Sequence, residues 1–229
     1  MIRFEGMAPE VIEAMCTPMH QILPAHYPTP TSPIIPSVST SPSIKSGSLF
    51  VGSMSAILDR DLLKNNRITH IVQVLDAPWL SISEKDGFRC LRIDILDKPS
   101  ADLRPHLEGA CQYIAGALNA GGNVLVHCQQ GVSRSPAIVI AYLIHNLGMS
   151  YDQAYALVKR RRPCINPNPG FVSALRAWEA KWHSTSSPQF RRANTSYVAM
   201  TASEATDRTA NARPPQLLRG ISHTGGTRS

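Results

Sequence analysis

The chain holds five cysteines, Cys16, Cys90, Cys111, Cys128 and Cys164, yet it contains no CxxC pair. No Cys/His cluster has metal-ligand spacing either, so neither a metal site nor a cofactor is expected. Long apolar runs are also missing. The longest, residues 137–144, falls far short of the roughly 20 residues a spanning helix needs, so no transmembrane segment is expected. The first turn of sequence is broken by Arg3, Glu5, Glu10 and Glu13, which leaves no secretory apolar stretch. These absences point to the cytoplasm and/or nucleus, where thiols stay reduced. In that setting Asn194-Thr195-Ser196 is an accidental match to a glycosylation acceptor. There are no internal repeats.

Charge and composition divide what remains into three zones. Residues 1–42 are Pro/Ser/Thr-rich, above all in PTPTSPIIPSVSTSPS, and are expected to form a disordered N-terminal segment. Residues 43–183 carry the apolar patterning of a folded catalytic domain. Residues 184–229 hold six Arg against two acidic residues with few large apolar side chains, and a disordered basic tail is expected there. The net charge of +7 therefore sits on the middle and the tail. A basic surface favours anionic partners without choosing among phosphoprotein, nucleic acid and lipid.

In the middle zone strand and helix signals alternate. LFVG, THIVQVL and NVLVH read as short or buried strands, and residues 88–95 as another. Residues 54–65 and 103–120 have helical spacing, with Asp102 placed as N-cap of the second and Gly121-Gly122 ending it. Residues 133–147 form an apolar helix closed by Gly148, residues 151–162 a helix stopped by Pro163, and residues 170–182 a last helix. The pattern predicts an α/β fold with a central, mainly parallel sheet flanked by helices.

The segment His127-Cys128-Gln129-Gln130-Gly131-Val132-Ser133-Arg134-Ser135 carries the chemistry. It joins a strand end to a helix start. Between Cys128 and Arg134 lies a tight loop whose backbone N–H groups can turn inward, a nest for a tetrahedral oxyanion at a helix N-terminus. Gln129, Gln130, Gly131, Val132 and Ser133 would then contact bound phosphate, and Gly131 permits the turn. Cys128 stands in this positive field as the nucleophile, a setting that favours thiolate. Arg134 presents a planar fork to two phosphate oxygens, where Lys would offer a point charge. Ser135 can donate to the sulfur as it leaves, and His127 is expected to brace the loop through its ring nitrogens.

This run is HCxxGxxRS, and the chain resembles the dual-specificity group of the cysteine-based protein tyrosine phosphatase superfamily, of the small atypical kind. The resemblance spans residues 43–182. It rests on the loop together with Leu49-Phe50-Val51-Gly52-Ser53, Ile68-Thr69-His70-Ile71-Val72, Ile95-Leu96-Asp97, Arg162-Pro163 and Pro167-Asn168-Pro169-Gly170-Phe171. It implies the fold named above, a phosphocysteine intermediate and metal-independent hydrolysis of phosphotyrosine and phosphoserine/threonine in protein signalling. It also implies that Asp97, on a loop upstream of Cys128, is the general acid. Asn168 matches a position that supports the connection into the last helix. Gln130 adds bulk where the family often has a small residue.

Other readings are weaker on these residues. Phosphoinositide phosphatases of this type carry lysines in the loop, whereas Gln129, Gln130, Val132 and Ser133 are uncharged. A phosphate-binding scaffold typically lacks the cysteine, arginine or aspartate, and all three are present. The tyrosine-bearing recognition loop of phosphotyrosine-only enzymes is absent, so a shallow pocket is expected. Phosphorylated proteins are the expected partners, nucleic acid is not required, and a monomer is expected. Lys159-Arg160-Arg161-Arg162 reads as a basic last helical turn favoured by the helix dipole. Cys90 and Cys111 read as core. Cys164, just before Ile165, is the one further thiol placed to approach the site as a redox partner.

Overall fold

The β-branched runs form strands because their side chains are buried on both faces, as a parallel sheet demands. The computed structural model describes residues 6–25, 46–77 and 86–183. In chain order these form α1 (Pro9–Cys16), β1 (Met19–Leu23), β2 (Leu49–Gly52), α2 (Met54–Leu58), α3 (Arg60–Asn65), β3 (Ile68–Val74), β4 (Arg89–Ile93), α4 (Arg104–Asn119), β5 (Asn123–His127), α5 (Arg134–Leu147), α6 (Tyr151–Arg161) and α7 (Pro169–His183). The sheet order is β1-β2-β5-β3-β4, with β2, β5, β3 and β4 parallel and β1 antiparallel at the edge.

Phe50, Ile71 and Leu125 stand in register across three strands and pack with Ala56, Ile57 and Leu63 of α2 and α3. Strand pleating turns the alternate residues Val51, Val72 and Val126 to the opposite face. There α5 lies against the sheet, between α4, α6 and α7. Helix α5 is apolar all round because it is enclosed on all sides, with every residue from Arg134 to Ile144 buried.

Two sequence expectations need correction. Residues 54–65 form two helices instead of one. Asp59 leaves the helical region at φ −93°, ψ 92° and caps α3 by accepting from Leu62 N at 2.8 Å. Residues 1–42 are not wholly outside the domain. Strand β1 closes the edge of β2, pairing Met19 with Gly52 and Leu23 with Leu49, and buries Met19, Ile22 and Leu23. The physical reason is the open edge of β2, which this short segment pairs and covers despite the Pro/Ser/Thr-rich sequence that follows it. The Pro-rich residues 28–43 and the tail 184–229 lie outside the described residues. No described helix is long and apolar enough to cross a membrane.

Candidate active site

Strand β5 ends at His127 and α5 begins at Arg134, so the loop between them sits at the carboxyl end of the parallel sheet and at a helix N-terminus. Ligand sites of open α/β folds gather at that end. Cys128 is 1% exposed at the floor. Its Sγ accepts from Gly131 N at 3.2 Å, and Ser135 Oγ lies 3.2 Å from both Sγ and the Gly52 carbonyl. The Gly131 N–H points at the sulfur, and the single Ser135 hydroxyl proton can be given to the sulfur or to the Gly52 carbonyl. Gly131 has φ +69°, and a Cβ there would meet the Gly52 carbonyl at 2.7 Å and Arg162 Nη2 at 2.8 Å. Both the dihedral and the space require glycine.

Above the sulfur lies a cleft of about 260 Å³, lined by Asp97 and by every loop residue from Cys128 to Arg134 except Gly131. Arg134 is 7% exposed. Among the described residues its Nη1 and Nη2 make long contacts, to Ile95 O at 3.4 Å and Gln129 Oε1 at 3.5 Å. Its Nε is buried without a hydrogen-bond partner, 3.7 Å from Asp97 Oδ2. A buried guanidinium so loosely held is ready to take up an oxyanion. Asp97 is fixed on the far wall. Its Oδ1 accepts from Ser133 Oγ at 2.7 Å and from Asn168 Nδ2 at 2.8 Å, which leaves Oδ2 toward Arg134. Asn168 is held in turn, accepting from Phe171 N at 3.0 Å and donating its own N–H to Ser133 Oγ at 3.1 Å. Ser133 therefore gives no side-chain cap to α5; its hydroxyl is spent on Asp97 and Asn168.

A buried cysteine, an arginine and an aspartate converge on one oxyanion-sized cleft, and the sequence pattern around them is shared widely. The profile of the dual specificity phosphatase catalytic domain matches residues 49–181. The chain belongs to the dual specificity phosphatase family. Dual specificity protein phosphatase 1B of Arabidopsis thaliana is 40% identical over 131 residues, covering 57% of this chain and 77% of that one. The human serine/threonine/tyrosine-interacting protein is 41% identical over 137 residues, covering 58% of this chain and 61% of its own. Among solved structures, the human tyrosine phosphatase-like serine/threonine/tyrosine-interacting protein gives a TM-score of 0.56 at 38% identity, covering 59% of this chain and 93% of that one. Human DUSP28 gives 0.57 at 36% identity, covering 60% and 95%. The domain is that of a protein phosphatase of the protein-tyrosine-phosphatase type, a dual-specificity hydrolase.

All the loop residues singled out in the sequence of this phosphatase, Cys128 through Ser135, meet at the cleft or at its sulfur, and Asp97 and Asn168 join them from other elements. Gln129 and Gln130 are exposed at the rim. His127 braces less than expected. Only Nδ1 approaches a partner, Cys128 O at 3.4 Å, while Nε2 is buried without one. Burial drives its pKa down to about 4, so it stays neutral. Asp94 lies beyond β4, which ends at Ile93, two residues earlier than the sequence suggests. It is exposed and paired with Arg92 at 3.2 Å. Asp102 accepts from Arg104 N at 3.1 Å and from its side chain, which lowers its pKa; Leu103, instead of Asp102, holds the N-cap position of α4.

The residue that sequence reasoning missed is Arg162. It is fully buried behind the loop. Its Nε donates to Gly131 O at 2.9 Å and Nη2 to Gln130 O at 3.1 Å, so it holds two loop carbonyls turned away from the anion. Its Nη1 donates to Thr17 O at 2.9 Å and to His20 Nδ1 at 2.8 Å, tying the loop to β1 and the turn before it. Burial and Arg162 lower the pKa of His20 to about 4. One cation among four in sequence gives no sign of turning inward; the only hint is Pro163, which forces Arg162 off the helix. Cys111 and Cys164 are buried, and burial raises both thiols. Cys90 is half-buried. Among the described residues no group of three or more His, Cys, Asp or Glu side chains could hold a metal ion.

Proposed function

We propose that this chain hydrolyses phosphotyrosine and phosphoserine/threonine on proteins through a phosphocysteine intermediate at Cys128. The observation that carries the reading is Cys128 Sγ within reach of the Gly131 N–H and the Ser135 hydroxyl, beneath a cleft shared by Arg134 and Asp97. In the first step Sγ attacks phosphorus and the bond to the substrate oxygen breaks. Arg134 and the loop amides hold the equatorial oxygens. Asp97 gives its proton to the departing oxygen from Oδ2, since Oδ1 is committed to Ser133 and Asn168. In the second step Asp97 takes a proton from water, the water attacks phosphorus, and the P–S bond breaks. The Ser135 hydroxyl stabilises the thiolate that leaves.

Among the described residues no aromatic side chain walls the cleft, which supports admission of both phosphotyrosine and the shorter phosphoserine and phosphothreonine. In the same reading the enzyme acts in signalling as a monomer in the cytoplasm and/or nucleus, requires no nucleic acid and needs no metal. A reduced cell interior suits a thiol nucleophile. A binding-only role is the alternative, since one relative is named an interacting protein. Retention of Cys128, Arg134 and Asp97 argues for turnover. The test is hydrolysis of p-nitrophenyl phosphate without added metal and its block by vanadate, followed by phosphotyrosine and phosphothreonine peptides beside phosphoinositides. Vanadate-sensitive turnover with peptides preferred supports the reading. No turnover would leave binding alone, and a phosphoinositide preference would change the substrate class.

A further inference from the structure

A second cavity, of about 750 Å³, adjoins the catalytic cleft. Asp97, Val132 and Ser133 line both, so the two spaces are separated by no more than shared side chains. The outer wall comes from the turn into α7 and its first residues. We propose that this cavity is a substrate subsite that receives an uncharged, apolar side chain flanking the phosphorylated residue. The proposal rests on the phosphatase reading and adds to it the class of sequence preferred.

The lining decides the occupant. Val132, Pro167, Pro169 and Val172 offer apolar surface. The polar groups among them are largely used within the protein. Asn168 spends its amide on Asp97 and Phe171, and Ser173 Oγ donates to Pro169 O at 3.1 Å. Among the described residues no Lys, Arg or His lines the cavity, and Asp97 is its one acidic side chain. An acidic side chain or a second phosphate would lose water there and gain no cation among the described residues. An apolar side chain loses nothing and gains burial.

The walls are already in place. Asn166 N donates to Val132 O at 2.7 Å, which ties the outer turn to the phosphate loop. At Gly170 the Pro99 carbonyl sits where a Cβ would otherwise be, so the acid loop packs directly on the start of α7. A preformed site of this kind binds without a large ordering cost. Successive residues of an extended peptide lie about 3.3–3.6 Å apart, so a residue one or two positions from the phosphorylated one reaches across the shared wall.

The test uses phosphotyrosine peptides that differ only by Leu, Glu, Lys or phosphothreonine one or two positions to either side, with p-nitrophenyl phosphate alongside. At one of those positions Leu should raise kcat/KM about 10-fold over Glu, mainly through KM. Phosphothreonine there should be worse than Leu. Val172→Asp should erase the preference. Ser173→Lys, at an exposed position where folding is not at stake, should shift it toward Glu. p-Nitrophenyl phosphate ends at the cleft and reports the catalytic centre in each variant. A protein that hydrolyses it yet shows no flanking preference, or whose preference survives both substitutions, overturns the subsite. A wild-type preference for Glu or phosphothreonine overturns it too. No aryl-phosphate hydrolysis in the wild type refutes the phosphatase reading itself.

Discussion

Asp97, Asp94 and Asp102 lie within nine positions of one another, and only their partners tell them apart. Asp97 alone reaches the cleft, held by Ser133 and Asn168, while Asp94 and Asp102 are paired with Arg92 and Arg104. Replacing Asp97 with Ala should lower kcat by about 10²–10⁴ on a phosphoserine protein, whose leaving oxygen needs a proton. The loss should be far smaller with p-nitrophenyl phosphate, whose leaving group is a stable anion. Equal losses on both substrates, or a leaving-group effect in Asp94→Ala instead, would refute the assignment. The sequence led to Asp97 through loop placement and resemblance. Its ground for setting Asp94 aside, confinement in a strand, does not hold, because β4 ends at Ile93. A second residue effect concerns pH. His127 has a folded pKa of about 4 against an ordinary 6.5. Its contribution is therefore full above pH 6.5 and is lost as pH falls toward 4, where the unfolded chain binds the proton and the folded one resists it. At about 1.4 kcal/mol per unit this amounts to a few kcal/mol. Urea unfolding at pH 7, 6 and 5 should show stability falling with pH, with a flatter slope in His127→Gln. Equal slopes would show that His127 does not titrate on unfolding. His20 titrates in both proteins, so the difference isolates His127.

At the scale of elements, β3 and β5 were legible as apolar, β-branched runs, and β2 and β4 as short segments that alternate with helical patterns along the chain. NVLVH before the loop and THIVQV are the clearest. Strand β1 was not. Its five residues pair with β2 across the intervening residues 24–48, and pairing at that distance leaves no local periodicity. Arg162 was hidden for a related reason. Its partners are Gln130, Gly131, Thr17 and His20, remote in sequence, while its neighbours are other cations. The two missed features meet. Removing residues 1–23 would take away buried Met19, Ile22 and Leu23 and strip two acceptors from Arg162. Each buried aliphatic side chain is worth about 1.5–3 kcal/mol, so several kcal/mol of stability should go with them. Chemical denaturation of the shortened protein should show a lower midpoint and reduced aryl-phosphate turnover. An unchanged midpoint would mean that β1 is dispensable.

For the molecule as a whole, the α/β class followed from strands alternating with helices, and the observed sheet with helices on both faces agrees. The proposed catalytic unit closes with α7 at His183, and the family profile ends at residue 181. Removing residues 184–229 should leave the kcat/KM for aryl phosphate unchanged while deleting six Arg of the basic charge. A large fall would show that the tail serves catalysis. The central claim is covalent transfer of phosphate to Cys128, and trapping that intermediate tests it most directly. A ³²P-labelled phosphoprotein mixed with enzyme and quenched within a turnover should leave label on the peptide that contains Cys128. More label should accumulate in Ser135→Ala, where the thiolate leaves more slowly, and none in Cys128→Ser, which should also lose turnover. Label on another residue, or turnover that persists in Cys128→Ser, would contradict the account.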